Sequence, residues 1–166
     1  MRFLRTNRFP LGVLAVSLGA LALALVLQYG FSMAPCPLCV LQRLALVATA
    51  LVGAAQMALQ KRFTTPLTWL GFAASLGGFT LATWHIFKMV AAPTEDAACG
   101  PGLATWVDSL WTAELLPSVF APMGDCFQDA ANLLGLPLPV YACGLFLTVA
   151  ALFRLNAINA TSTLNS

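Results

Sequence analysis

The amino-acid sequence predicts an all-α integral membrane protein, a bundle of four transmembrane helices with a short horizontal helix in its second outer loop. The 166 residues are 60% hydrophobic and only 8% charged, whereas roughly 25% of a typical globular chain is charged. A soluble domain of this size leaves much of its surface in water, so it could not hide this much apolar surface. The few charges also separate long uncharged stretches. We therefore expect a single membrane domain over residues 1–166.

The lengths of the uncharged stretches predict where the spans lie. A helix that crosses a membrane needs about 20 mainly apolar residues, because each residue rises about 1.5 Å through a core of about 30 Å. The stretches that meet this requirement lie at about residues 11–32, 40–60, 67–90 and 139–155. Prolines stand at or just outside their ends, where a missing backbone N–H does least harm. The two loops on the outer side are then residues 33–39 and 91–138.

The basic residues predict the orientation. Those at the span ends on one side are Arg2, Arg5, Arg8, Lys61, Arg62 and Arg154. Because lysine and arginine near span ends favour the cytoplasmic side, both termini are expected in the cytoplasm. All six acidic residues lie in the long loop on the opposite side, which for a bacterial inner membrane is the periplasm. The first apolar stretch is longer than a typical signal sequence and lacks a clear cleavage site, so we expect it to be retained as a span.

Four of the five cysteines fall on the outer side. Cys36 and Cys39 form a C-x-x-C in the first outer loop, and Cys99 and Cys126 lie in the second. Disulfides persist outside the bacterial inner membrane, so two pairs there suggest two disulfides that exchange electrons. A zinc site would favour two C-x-x-C knuckles, and no metal site is predicted. The pairing itself stays open, because four cysteines allow three connectivities. Cys143, in the fourth span, is expected to be a packing residue.

Three polar residues are expected near the C-x-x-C. Cys39 stands at the start of the second span, where unpaired N–H groups and the helix dipole favour a thiolate. Arg43 shares its helical face, so its guanidinium can stabilise the thiolate or donate to a carbonyl ligand. Gln42 is a second candidate for this work. His85, the only histidine, lies about one turn inside the third span. An ionisable group there suggests a hydrogen-bond donor or proton carrier in the same outer pocket.

The second outer loop carries an amphipathic pattern. Apolar residues recur at the helical spacing i, i+3, i+4, i+7 and i+8. They are Leu103, Trp106, Val107, Leu110 and Trp111. Two tryptophans on one stripe favour a helix that lies on the membrane surface. Packing on the outer ends of the spans is an alternative, and the two arrangements are compatible.

Taken together, these features resemble the bacterial disulfide bond formation protein B (DsbB) family. The resemblance covers nearly the whole chain. It comprises four spans, Pro35-Cys36-Pro37-Leu38-Cys39 followed by Gln42-Arg43, and a long outer loop whose second cysteine lies in Gly124-Asp125-Cys126. Cys143 has no counterpart in the redox set of the family.

The resemblance implies an inner-membrane thiol–disulfide oxidoreductase. Such a protein reoxidises a periplasmic thioredoxin-fold oxidase of the DsbA type and passes the electrons to a membrane quinone, ubiquinone or menaquinone. By the same analogy, a Cys99–Cys126 disulfide accepts the electrons, with Cys99 the site of the mixed disulfide, and Cys126 then exchanges with Cys36 and Cys39. Cys39 would face the quinone, with Arg43 beside its carbonyl oxygen.

Other interpretations are open at this stage. A quinone reductase of the vitamin K epoxide reductase type would carry its active C-x-x-C late in the chain. A small transporter with structural disulfides would carry charges along its spans. An assembly factor with bracing disulfides would lose stability, but no electron flow, on Cys39→Ser. The net charge of +2 and the lack of a basic run argue against a nucleic-acid partner, and no G-x-G-x-x-G is present for a dinucleotide.

Overall fold

The computed structural model describes residues 8–59, 63–91, 101–124, 132–133 and 135–162. The four long helices are α1 (Arg8–Gly30), α2 (Pro37–Leu59), α3 (Thr64–Ala91) and α7 (Leu138–Ser162). The shorter elements are α4 (Pro101–Asp108), α5 (Trp111–Leu115), α6 (Pro117–Phe120), β1 (Asn132–Leu133) and β2 (Leu136–Pro137).

The long helices confirm the predicted four-helix, all-α fold class. Each of the four is long and apolar enough to cross a membrane, and the chain is a multi-pass membrane protein. Each predicted span overlaps one of these helices, although α2 begins three residues earlier than expected, at Pro37. Helix α1 ends at Gly30, two residues before the predicted limit. Ser32 has a φ of 55°, in the left-handed region where a right-handed helix cannot continue.

The core lies between the four long helices, and Val13 of α1 and Val149 of α7 are both fully buried in it. Gly71 and Gly78 of α3 lie directly beneath the rings of Phe153 and Phe146 of α7, and a Cβ at either glycine would overlap the ring. Both phenylalanines are almost completely buried. In a membrane, where water does not drive helices together, small residues permit this close approach and the packing that stabilises it.

Polar side chains inside the bundle are paired with one another. The hydroxyls of Ser17 and Thr49 lie 3.0 Å apart and join α1 to α2. Gln56 donates to the Thr68 hydroxyl at 2.8 Å and joins α2 to α3. Asn156 of α7 donates to the same glutamine at 3.3 Å. Because the hydrocarbon core offers no water, such pairs must satisfy their polar groups within the protein.

The second outer loop contains the predicted amphipathic helix in two pieces. Val107 of α4 is fully buried and packs with Val40 and Phe120, whereas Trp106 is 56% exposed. The helix is interrupted after Asp108, because the Ser109 hydroxyl donates to the Trp106 carbonyl at 2.7 Å and competes with the helical pattern. The loop thus packs on the outer end of α2. Its position on a bilayer surface stays a prediction.

A short hairpin leads from this loop into α7. Strands β1 and β2 pair antiparallel, with Leu133 opposite Leu136. Gly135 in the turn has a φ of 84°, which glycine adopts without a steric penalty. These two-residue strands were not predicted, because they are too short to show alternation.

Candidate active site

The C-x-x-C forms the start of α2. The Val40 N–H donates to the Cys36 carbonyl at 3.0 Å, and the Cys39 N–H donates to the Cys36 Sγ at 3.2 Å. Cys36 is therefore the N-cap residue, with a sulfur where serine or threonine usually supplies an oxygen. Pro37 occupies the first helical position, where its fixed φ suits a helix and its missing N–H is not needed.

The two sulfurs of the pair lie close together in different surroundings. The Cys36 and Cys39 Sγ atoms are 2.7 Å apart, with the Cys36 thiol donating. Cys36 is only 2% exposed, whereas Cys39 is partly exposed. The hydrogen bond with Cys39 and, next, burial raise the pKa of the Cys36 thiol. Cys36 therefore holds its proton more tightly than an ordinary thiol, and Cys39, partly exposed in the first turn of α2, is the sulfur better placed to act as a nucleophile.

His85 approaches this pair from α3. Its side chain is 1% exposed, and its Nε2 lies 3.8 Å from the Cys36 Sγ. The other ring nitrogen, Nδ1, lies 3.4 Å from the side-chain amide nitrogen of Gln42. The structure therefore brings together Cys36, Cys39, Gln42 and His85, which the sequence places on two different helices.

Arg43, four residues after Cys39 in α2, reaches toward α1 and the second outer loop. It is 7% exposed, and its Nη1 donates to the Gln28 Oε1 and to the Val119 carbonyl, both at 2.7 Å. Its Nε and Nη2 groups donate no hydrogen bond to the described part of the chain, and neither is fully enclosed. The guanidinium is close enough to interact electrostatically with Cys39 and Cys36.

A clamp between α1 and α6 was not predicted. The Gln28 amide and the Tyr29 hydroxyl both donate to the Ser118 carbonyl, at 2.7 and 2.8 Å. Beside this clamp lies an open groove of about 310 Å³. Its lining is Gln28, Tyr29, Ser32, Met33, Ala34, Pro35, Ser118 and Met123. The sequence feature that could have indicated the clamp is Gln28, because a glutamine within an uncharged span needs a polar partner.

The two outer loops also meet through the backbone. The Met123 and Gly124 N–H groups both donate to the Pro35 carbonyl at 3.1 Å. Pro35 directly precedes Cys36, so these bonds hold the second loop beside the C-x-x-C. Cys99 and Cys126, predicted to form the second pair, lie outside the described residues.

Cys143 lies elsewhere in the bundle. It packs beside Leu46, Ala82 and Phe146, and its Sγ lies 3.8 Å from the Thr83 hydroxyl. Contacts of this kind match the packing role expected from the sequence.

Comparisons with known proteins show the family of the chain. A family model described as "Disulfide bond formation protein DsbB" matches residues 6–155, which include every predicted site residue. The chain is 39% identical over 143 residues to "Disulfide bond formation protein B" of Herminiimonas arsenicoxydans, covering 83% of this chain and 86% of the relative. The protein of the same name from Hahella chejuensis is 33% identical over 152 residues, covering 89% and 92%. No solved structure matches the chain.

Proposed function

Because the chain belongs to the family of the disulfide bond formation protein DsbB, a membrane oxidoreductase family that generates disulfides, we propose that it reoxidises a periplasmic thiol oxidase of the DsbA type and passes the electrons to a membrane quinone. The observation that carries the proposal is the Cys36–Cys39 pair, with sulfurs 2.7 Å apart at a helix start. The guanidinium of Arg43 and the imidazole of His85 both lie near this pair.

The residues around the pair fit a quinone. A quinone presents two carbonyl oxygens on an apolar ring, so its site needs hydrogen-bond donors beside an apolar surface. Arg43 has N–H donors that no described residue accepts, and donors of a charged group form the stronger hydrogen bonds. The apolar surface is the groove at the outer end of α1, which includes Met33 and Ala34 and is also lined by Gln28, the hydrogen-bond partner of Arg43. Ubiquinone and menaquinone both satisfy this description.

Energetics favour a non-thiol electron acceptor. A DsbA-type partner has a reduction potential of about −120 mV, well above that of glutathione pools, so the disulfides of such pools cannot reoxidise it. A bound quinone supplies an acceptor for two electrons and two protons. Each further 30 mV or so of driving force provides about 1.4 kcal/mol for a two-electron transfer.

The protein's own residues perform the disulfide exchange in this proposal. The dithiol of the partner reduces the Cys99–Cys126 disulfide, with Cys99 forming the mixed disulfide. Cys126 and Cys99 then reduce the Cys36–Cys39 disulfide, so that each exchange breaks one S–S bond, forms another and conserves two electrons and two protons. His85, whose Nε2 lies 3.8 Å from the Cys36 Sγ, accepts the proton of that thiol in this proposal.

Contacts between the loops support exchange between the pairs. Gly124 is hydrogen-bonded to Pro35, next to Cys36, and Cys126 follows Gly124 by two residues. The proposal also places the chain in a bacterial inner membrane with both termini in the cytoplasm, following the basic residues at the span ends.

The test is quinone reduction by the purified chain supplied with a reduced DsbA-type protein. We expect turnover by the wild type, loss of turnover in Cys39→Ser and in Cys99→Ser, and unchanged turnover in the control Cys143→Ser. A folded wild type that reduces no quinone would contradict the proposal and favour loops braced by structural disulfides.

A further inference from the structure

The Cys36–Cys39 pair and His85 form a cluster of three metal-binding side chains. The two cysteine sulfurs and a ring nitrogen of His85 all lie within 4.8 Å of one another. They come from the start of α2 and from α3, and both Cys36 and His85 are almost fully buried. Two thiolates and an imidazole are the ligand set of zinc sites that keep a fourth position open.

We propose that the reduced Cys36–Cys39 pair and His85 bind a thiophilic d¹⁰ cation of the Zn²⁺ class, and that only the dithiol form binds it. The proposal rests on the pair being reducible and is independent of the electron acceptor. A disulfide has no thiolate to offer, so oxidation of the pair removes two of the three ligands. A bound cation in turn holds both sulfurs and blocks disulfide exchange.

The geometry needs only small side-chain movements. Tetrahedral zinc, with Zn–S bonds of about 2.3 Å and Zn–N bonds of about 2.0–2.1 Å, places two sulfurs about 3.8 Å apart and a sulfur about 3.6 Å from nitrogen. The Cys36 Sγ already lies 3.8 Å from the His85 Nε2. The two sulfurs, at 2.7 Å, must separate by about 1 Å, which rotation about χ1 provides.

Gln42 supplies the outer support that a ligating histidine needs. A metal-bound imidazole usually donates its other N–H to a carbonyl or carboxylate. The Gln42 side-chain amide lies 3.4 Å from the His85 Nδ1, and turning the amide by half a rotation presents its oxygen there. Nε2 then faces the sulfurs. The nearby Arg43 charge disfavours a dication, but the two thiolates outweigh it with two negative charges.

Binding is balanced in atoms and involves no electron transfer. Two thiols and one M²⁺ give one metal dithiolate and two released protons. The protein remains at the dithiol level throughout, and removing the cation with a chelator restores the reduced pair.

The experiment is a Cd²⁺ titration of the purified chain reduced with a phosphine, followed by the thiolate-to-cadmium absorption in the ultraviolet. Cys99→Ser and Cys126→Ser are introduced together, so that Cys36 and Cys39 are the only pair of neighbouring thiols left in the chain. We expect one Cd²⁺ per reduced chain, displacement by Zn²⁺, and no binding after oxidation. In this background Cys39→Ser should abolish binding, and the control Cys143→Ser should leave it unchanged.

His85 and Gln42 test the composition of the site. His85→Gln should weaken binding by at least tenfold, Gln42→Leu by about tenfold, and His85→Cys, which supplies another soft ligand, should retain tight binding. Circular dichroism checks that each variant keeps its helices. Equal binding by oxidised and reduced protein, or full affinity in Cys39→Ser or His85→Gln, would overturn the proposal. Quinone reduction is measured in a separate assay. A protein that binds no metal can therefore still support the proposed function, and a protein that reduces no quinone can still support the metal site.

Discussion

Comparison of Arg43→Met with Gln28→Leu separates ligand binding from loop packing. Arg43→Met keeps a long unbranched side chain but removes the charge and the donors. In the folded chain Arg43 makes two hydrogen bonds of 2.7 Å, to Gln28 and to the Val119 carbonyl. Its Nε and Nη2 donors are the ones left for a quinone carbonyl. One hydrogen bond from a charged group contributes about 1.5–3 kcal/mol, so its loss should raise the KM for quinone about 10- to 100-fold.

The assay is steady-state oxidation of a reduced DsbA-type protein at varied quinone concentration. Because the lost interaction contributes to binding, KM should rise while kcat at saturating quinone changes little. Arg154→Met makes the same chemical change at an exposed position and serves as the matched control. Gln28→Leu removes the Gln28 bonds to Arg43 and to the Ser118 carbonyl, but keeps the guanidinium.

Two results would refute this account of Arg43. An unchanged KM in folded Arg43→Met would remove the guanidinium from the quinone site. An equal rise in KM for Gln28→Leu would show that the clamp between α1 and the outer loop matters, rather than a contact between Arg43 and the quinone.

Further predictions concern packing and the remaining thiols. Gly78→Val should lower the free energy of unfolding by about 1–3 kcal/mol through overpacking. The control Gly77→Val should not, because a Cβ at Gly77 meets nothing within 4 Å. Thermal unfolding in detergent compares the two variants. Cys143→Ala should leave turnover intact, and a large loss would mean that this cysteine takes part in electron transfer. Because the pKa of Cys36 is raised, iodoacetamide at neutral to mildly alkaline pH should label Cys39 of the reduced protein before Cys36. Peptide maps measure the labelling, and equal labelling of the two cysteines would contradict this prediction.

Much of the bundle was predictable because a membrane imposes simple constraints. In lipid, an apolar stretch of about 20 residues satisfies its backbone N–H and C=O groups by forming a helix. The four uncharged stretches of the sequence therefore predict α1, α2, α3 and α7. The pairing of α3 with α7 was not predictable in detail. It depends on which rings lie over Gly71 and Gly78, which is a matter of three-dimensional packing.

The site was predictable to the extent that its residues are adjacent in sequence. Cys36, Cys39 and Arg43 lie within eight positions of one another, and helix periodicity relates them. That Cys36 caps the helix and is the protonated member of the pair required the actual start of α2. The bonds from Gln28 and Arg43 to the second outer loop join segments some 90 and 76 residues apart, and no local pattern encodes them.

The central claim is that the Cys36–Cys39 pair exchanges electrons with a quinone. The most direct test measures the redox state of that pair at fixed ratios of quinone to quinol. The purified chain carrying Cys99→Ser and Cys126→Ser is equilibrated at each ratio, quenched in acid, alkylated and analysed by mass spectrometry. Since both couples transfer two electrons, a tenfold increase in the quinone-to-quinol ratio should raise the disulfide-to-dithiol ratio tenfold. A folded protein whose pair keeps the same redox state at every ratio would contradict the claim.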